Sequence, residues 1–253
     1  MTGLSVLITG ATGDIGMALA RAYAKPGNTL ALIGKDNGNL AQILDDCTQL
    51  GAEVTHADID VRDYDRLTSW IMDIDRQHPI DVAIANAGVT SSIGKDGTPE
   101  QWQDIKRVFD VNLYGTLHTI QPLIEPMRQR GHGQIGIVSS LAAYRGLPVT
   151  PAYSGSKAAT KIYGEAIRGV LADDGVGVSV ICPGFVQSAM SDKFTRPKPI
   201  MVTPGKAAAI IKRGLDANKA RISFPFPLNL GTWFLALTPP VLAEILTDLF
   251  KYG

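Results

Sequence analysis

The sequence predicts an α/β fold: a doubly wound parallel sheet of about seven strands with helices on both faces, in a single domain over residues 1–253. Three observations predict it. Short apolar runs of strand length alternate with segments of helical period from residue 4 to about residue 224. The polar, chemistry-bearing residues cluster where those runs end, as they do in sheets whose ligands sit beyond the strands' carboxyl ends. The length suffices for one large core, and no linker, internal repeat or low-complexity tract divides the chain.

Residues 4–8 form the first apolar run, followed by Thr9-Gly10-Ala11-Thr12-Gly13-Asp14-Ile15-Gly16 and a helical pattern through Met17, Leu19, Ala20 and Tyr23. Strand, glycine-rich turn and helix is the context in which glycines become informative: Gly10 permits a tight turn, Gly13 a close backbone approach to a pyrophosphate, Gly16 a close helix–strand contact. Residues 29–33 are the second strand, ending at Gly34-Lys35-Asp36. An acid there would hold an adenosine ribose, whereas a basic residue suits a 2′-phosphate. Gly34 and Lys35 favour the phosphate, and Asp36, one or two positions late, opposes it.

Residues 39–50 read as a helix and 53–57 as a third strand leading to Asp58-Ile59-Asp60-Val61-Arg62-Asp63. Asp63 is placed to cap the helix through Leu67, Trp70, Ile71 and Ile74. Residues 81–85 are a fourth strand, ended by Asn86-Ala87-Gly88; 99–109 and 113–127 read as helices, 135–138 as a fifth strand and 151–171 as a long helix. Residues 176–181 are a sixth strand, broken by Pro183-Gly184. Residues 185–203 lack a clear period and read as a substrate loop or lid. Residues 204–215 form a helix with Pro204 at its first position, 221–224 a seventh strand, and 241–252 an amphipathic helix. Residues 224–253 make an apolar, proline-bearing C-terminal extension.

The stretch from Ser139 to Lys157 concentrates the chemistry. Ser140 closes the fifth strand, and Tyr153 and Lys157 stand four apart at the start of a helix, hence on one face. A free phenol has a pKa of about 10 and is a poor base near neutrality. An adjacent ammonium favours the phenolate, so the pair can pass a proton to or from a substrate oxygen that the Ser140 hydroxyl orients. This suits proton transfer at an alcohol or carbonyl, with a hydride carrier supplied from outside the protein. Alone, Tyr-x-x-x-Lys is also an ordinary helix-surface pair.

Lys+Arg and Asp+Glu each total 24, so no basic excess points to nucleic acid. His56, His78, His118 and His132 are scattered and do not combine with Cys47 and Cys182 at metal-ligand spacing, so no metal is expected. Two lone cysteines suggest packed, reduced thiols. The chain reaches strand-like sequence at once, without a signal peptide, and no apolar run attains the length of about 20 residues that crosses a bilayer. A cytoplasmic protein is expected.

Taken together these residues resemble the short-chain dehydrogenase/reductase family, in its shorter branch, over residues 4 to about 224. Thr9-Gly10 to Gly16 is similar to its cofactor turn, Asp60-Val61 to its adenine-side pair, and Asn86-Ala87-Gly88 to its fourth-strand motif. Asn112, Ser140, Tyr153 and Lys157 match its catalytic tetrad, and Pro183-Gly184-Phe185-Val186-Gln187-Ser188 its Pro-Gly motif, with Ser188 in place of the usual threonine. Asp14 stands where this branch has glycine, and an acid there opposes extra phosphate.

The resemblance implies a Rossmann-like fold binding NAD(P), with NADP(H) preferred over NAD(H) from Lys35. It implies Tyr153 as acid in reduction and base in oxidation, and Lys157 lowering the tyrosine's pKa and binding the nicotinamide ribose. Ser140 would polarise the substrate oxygen, and Asn112 would disturb its helix and hold a water toward Lys157. Val186 and Ser188 would contact the nicotinamide amide. It implies a homodimer or homotetramer through the helices that begin near Asn112 and Pro151, acting on a small-molecule carbonyl or alcohol. The tail residues Phe224, Phe226, Leu228, Leu230, Trp233, Phe234, Leu235 and Leu237 admit two readings. They line a pocket or face a bilayer surface, favouring a lipid-like, steroid or acyl ketone; or they pack on the core or a partner subunit. A sugar-like substrate is compatible with either. A cofactor-binding regulatory or scaffold protein without turnover is the alternative to an enzyme, and the complete tetrad opposes it.

Overall fold

A computed structural model describes residues 3–35, 38–94, 96–192, 194 and 198–249. Asp36, Pro197 and the end of the last predicted helix lie outside the described residues.

Seven parallel strands among them form one sheet: β1 (Ser5–Thr9), β2 (Thr29–Ile33), β3 (Glu53–Ala57), β4 (Val82–Ala85), β5 (Gly133–Val138), β6 (Val176–Pro183) and β7 (Arg221–Phe224), in the order β3-β2-β1-β4-β5-β6-β7. The direction of winding switches between β1 and β4, where Val6 faces Leu30 on one side and Val82 on the other. β1 and β4 are buried along their whole length, which explains their uninterrupted apolar runs. The edge strand β3 is mostly exposed and mixes Glu53, Thr55 and His56 with Val54.

The helices are α1 (Asp14–Tyr23), α2 (Leu40–Gln49), α3 (Tyr64–Gln77), α4 (Trp102–Phe109), α5 (Gly115–Arg130), α6 (Pro151–Leu171), α7 (Ala189–Asp192), α8 (Pro204–Asp216), α9 (Leu228–Leu237) and α10 (Pro240–Leu249). They cover both faces of the sheet. Leu19 and Tyr23 of α1 and Ile211 and Leu215 of α8 belong to one apolar cluster; Leu67 and Ile71 of α3 and Ile120 and Leu123 of α5 belong to the other. Asp63 caps α3 by accepting from the Arg66 amide at 3.2 Å, and Thr203 caps α8 ahead of Pro204.

Three local features differ from the sequence expectation. The helices expected at 99–109 and 113–127 are one continuous run, because α4 passes through a π-turn at Asp110–Tyr114 into α5. Residues 185–203 contain α7 and a bridge between Val186 and Val202, closed by Gln187 N–H to Val202 O at 2.9 Å. The segment after Phe224 contains the uncharged helix α9. Its amphipathic period was hidden because both of its faces are apolar, and Pro225 and Pro227 precede it.

Candidate active site

One cavity of about 900 Å³ runs along the carboxyl ends of the strands, from Lys35, Asp60 and Arg62 past the turn after β1 to Ser140, Tyr153 and Lys157, and on to α9. Thr12, Gly13, Asp14, Ile15 and Gly16 line it, as do Val61, Asn86, Ala87, Gly88, Pro183, Gly184, Val186 and Ser188. Thr9 and Asn112 are the two predicted site residues that stand behind its wall.

The floor is set by backbone approach. Gly10 has φ +65°, a region costly for other residues. A Cβ on it would lie 2.8 Å from the Ala87 Cα, and one on Gly16 would lie 2.1 Å from the Gly10 carbonyl oxygen. Thr9 fastens the two turns together: its hydroxyl accepts from the Asn86 amide at 3.1 Å, and the Asn86 side chain donates to Thr9 O at 3.0 Å. Gly13 precedes α1 with no side-chain cap, so the amides of the first helical turn are left to a ligand. An uncapped helix start above a glycine floor, within a long cleft, fits a dinucleotide's diphosphate.

At the far end two charged residues have partners that local sequence did not show. The Asp14 carboxylate accepts from the Ala189 amide at 3.1 Å, so it engages the segment after β6 rather than Lys35. Lys35 instead pairs with Asp60 at 2.7 Å. Arg62, which sequence reasoning passed over, holds Asp60 more fully: Nε lies 3.0 and 3.1 Å from its two oxygens, and Nη2 lies 2.6 Å from one. The Arg62 guanidinium, with Lys35 adding to it against the cost of burial, keeps the Asp60 carboxyl far below the usual carboxylate range. Among the described residues Lys35 and Arg62 both face Asp60 at this end of the cavity. The available signal was the basic residue directly after Asp60-Val61. Gly34 also acquires a reason: a Cβ on it would sit 2.9 Å from the Thr12 hydroxyl, which donates to Lys35 O at 2.9 Å. An acid at position 34 would displace Thr12.

At the other end Ser140 is buried and extended; its hydroxyl accepts from the Ala142 amide at 3.1 Å. Ser139 ties β5 to α6 by donating to Lys157 O at 2.7 Å. Lys157 is 3% exposed, and its Nζ donates to Val138 O at 2.8 Å and lies 5.8 Å from the Tyr153 ring centre. Burial pushes the Lys157 ammonium down to about 8, with the nearby Cys182 thiol acting the other way. Tyr153 is half-buried overall, yet its hydroxyl is enclosed; that burial raises its pKa above 10, against a hydrogen bond with the Ser140 side chain that lowers it. The expectation that Lys157 lowers the phenol's pKa is therefore not met in this geometry. Desolvation dominates both groups and disfavours the charge on each.

Asn112 sits in the middle of the π-turn, fully buried. Its side chain accepts from the Val89 amide at 2.8 Å and donates to Val89 O and the Ser156 hydroxyl, both at 2.9 Å. Ser156 in turn donates to Tyr153 O at 2.8 Å. Asn112 thus joins the end of β4 to the helix that carries Tyr153. Glu100 does similar work: its carboxylate accepts from the Ala152 amide at 3.0 Å and from the Ser91 hydroxyl at 2.5 Å. No local pattern marks Glu100 as a cap, because its helix starts fifty-one residues later at Pro151.

Comparison with known proteins bears on this cavity. The family model described as short chain dehydrogenase matches residues 5–199. An uncharacterized oxidoreductase of Myxococcus xanthus is 30% identical over 94% of this chain and 94% of its own. Ketoacyl reductase HetN of Nostoc sp. is 32% identical over 83% of this chain and 74% of its own. The crystal structure of a 3-oxoacyl-[acyl-carrier protein] reductase with bound NAD from Brucella melitensis superposes with a TM-score of 0.75 at 24% identity. It covers 88% of this chain and 89% of that one, a likeness of fold.

Proposed function

The chain belongs to the short-chain dehydrogenase family, and from that premise we propose that it is an NAD(P)-dependent oxidoreductase interconverting a carbonyl and a secondary alcohol, with Tyr153 moving the proton. The observation that carries this reading is the convergence of Ser140, Tyr153 and Lys157 on one cavity that also runs over the glycine turn. A nicotinamide cofactor held along this cavity would supply or accept the hydride. Everything else is the work of this chain's side chains.

In reduction Tyr153 gives its phenolic proton to the developing alkoxide, and in oxidation it takes the proton back. A phenol whose pKa lies above its usual value stays protonated near neutrality, which suits the acid role. Ser140, held extended at the end of β5, hydrogen-bonds the same substrate oxygen. Lys157 offers its ammonium to the phenolate that reduction leaves and to the nicotinamide ribose. Asn112 and Glu100 position α6 so that these groups meet.

Gly10, Thr12, Gly13 and the first turn of α1 would hold the diphosphate, and Asp60 and Val61 would flank the adenine. Asn86, Ala87, Gly88, Pro183, Gly184, Val186 and Ser188 flank the rest of the dinucleotide. Lys35 and Arg62 favour NADP(H), because together they outweigh Asp60 where a 2′-phosphate would lie. On the substrate side the wall is apolar, with Leu141, Leu147, Phe185, Leu228 and Leu235. This supports a lipid-like or acyl ketone, in keeping with the name of the Nostoc relative.

A homodimer or homotetramer formed through α5 and α6 fits the exposure of Tyr114, Ile162 and Val170, and light scattering at micromolar concentration tests it. The buried, unpaired Cys47 and Cys182 accord with a reducing cytoplasm. NAD(P)H oxidation across a panel of acyl, steroid and sugar-like ketones, run with both cofactors, tests the reaction. Turnover of an acyl or other apolar ketone is expected. Tight cofactor binding with no oxidation on any carbonyl would replace this reading with that of a regulatory binder.

A further inference from the structure

α9 is apolar on both sides and buried on neither. Leu228, Thr232 and Leu235 fall at i, i+4 and i+7 and line the cavity. Leu230, Trp233, Phe234 and Leu237 fall at i, i+3, i+4 and i+7 and are exposed, between 41% and 66%. α10, which follows it directly, also exposes Val241, Leu242 and Ile245. A helix that is hydrophobic all round belongs in a protein core or against lipid, and no residue of α9 is buried. Contiguous exposed apolar surface of this kind marks an interaction site.

Residues 222–243 contain no Asp, Glu, Lys or Arg. Prolines at 225, 227, 239 and 240 divide that stretch, so α9 has only ten residues. No helix among the described residues is long and apolar enough to cross a membrane. An apolar helix of this length is a core helix or an interfacial one; its exposure excludes the first. Trp233, packed edge-on against Phe234 with ring centres 5.0 Å apart, is of the type enriched at the lipid–water boundary.

Phe234 identifies the occupant. It is 55% exposed and also lines the cavity, so the apolar face and the cavity meet at its ring. A second copy of this chain seated rigidly on the face would cover that rim. A fluid bilayer covers the same surface and still admits a chain past it. We infer that the outer face of α9 and α10 docks on a lipid bilayer surface, with the cavity opening onto it, so that an apolar carbonyl substrate enters from the lipid. The route of entry rests on the carbonyl–alcohol reading above; the docking does not.

The attraction is apolar, since residues 222–243 carry no charge and α10 adds only the acids Glu244 and Asp248, which an anionic surface would repel. Binding should therefore need no anionic lipid and should survive high salt. The test is sedimentation of the full chain with phosphatidylcholine vesicles, with and without added phosphatidylglycerol and at low and high salt. The expected result is binding to the neutral vesicles with little dependence on either variable. Trp233→Ser with Leu237→Ser should weaken partitioning by about tenfold or more, from the apolar area lost. Ile162→Ser, equally exposed on α6, should leave it unchanged. Circular dichroism of each variant checks that it folds, and Trp233→Phe, which keeps apolar area, should retain most binding.

Tyr153→Phe should bind vesicles as the unmodified chain does. Vesicle binding without carbonyl turnover would remove the function proposed above and keep the docking. Turnover without vesicle binding would overturn the docking alone. Loss of self-association in the Trp233/Leu237 double variant, with no vesicle binding by the unmodified chain, would assign the face to a second copy and overturn it as well.

Discussion

The two ends of the cavity use lysine in opposite ways. Lys157, 3% exposed, pairs with no carboxylate among the described residues; it donates to a backbone carbonyl, and burial pushes its pKa to about 8. Lys35, whose side chain is 64% exposed, answers a carboxylate that Arg62 already holds. At the buried end desolvation decides which charges exist. At the exposed end charges always exist, and pairing decides which of them are available to a ligand. On the proposed function, burial would tune proton transfer at one end, while competition among ions would tune cofactor choice at the other.

The contrast is broken most sharply at Tyr153. Tyr153→Phe removes the phenolic hydroxyl proposed as the proton donor and leaves the packing of α6 in place. Turnover should fall by about 10²-fold to 10⁴-fold, the range for loss of a positioned general acid. Cofactor affinity, measured by fluorescence titration, should stay within about twofold, since a lost phenolic hydroxyl removes at most one weak hydrogen bond. A variant that keeps most of its activity on a responsive carbonyl would refute the assignment.

Lys157→Met tests whether burial, not pairing, governs that end. The displacement of Lys157 from 10.5 to about 8 corresponds to about 3 kcal/mol against the charged form at neutral pH. Loss of the bond to Val138 returns about 1 kcal/mol of this. The variant should therefore lose activity yet gain about 2 kcal/mol of stability at pH 7. The sign follows from the protons. Between pH 8 and 10.5 the unfolded chain holds a proton on Lys157 that the folded chain has lost, so the unmodified protein gains stability as pH rises through that window. The variant's advantage should shrink across the same window. Urea unfolding at pH 7 and at pH 10 reads both; a destabilised variant at pH 7 would mean that the ammonium is held by more than a carbonyl.

Most of this cavity was legible in the sequence because its parts are local. Tyr153 and Lys157 share a helix turn, the glycines share a β–α turn, and each strand is a continuous apolar run. What was not legible depends on distant partners. Lys35 could be read as a free cation only while Asp60 was unknown as its neighbour, and the bond of Asp14 to the Ala189 amide joins residues far apart in the chain. Glu100 caps a helix from far away in the chain. α9 escaped for another reason: helical period shows in sequence as alternation of polar and apolar residues, and a helix between an apolar cavity and an apolar outer face has none. The downward shift expected for the phenol failed because spacing gives proximity and says nothing of solvent.

A pH profile sharpens the same end with a smaller effect. Lys157 carries its charge below about pH 8, and Tyr153, raised above 10, starts protonated throughout that range. For reduction, kcat/KM should be level below about pH 8. Above it the rate should fall toward tenfold per pH unit, as the ammonium that steadies the departing proton's phenolate is lost. A profile flat to pH 9.5 would show that the charge on Lys157 does not matter to the step.

The smallest effect belongs to the exposed end, where solvent and salt weaken every charge. Arg62 bonds to both oxygens of Asp60, and Lys35 shares only one contact with it at 2.7 Å. Lys35 is thus the cation free to turn to a 2′-phosphate, provided that Arg62 keeps Asp60 neutralised. Lys35→Ala removes that cation. Arg62→Ala leaves it in place but returns it to Asp60, whose charge then also repels the phosphate. Each variant should weaken NADPH binding by about twofold to fivefold at low salt, the upper range for exposed ion pairs, and leave NADH nearly unchanged. Because one residue acts through the other, the double variant should bind NADPH about as weakly as either single one, rather than showing the product of the two losses. The differences should shrink as salt rises. Additive losses would mean that Arg62 and Lys35 contact the phosphate independently. Tighter binding of NADH than NADPH by the unmodified protein would mean that neither does, and that both serve only to hold Asp60.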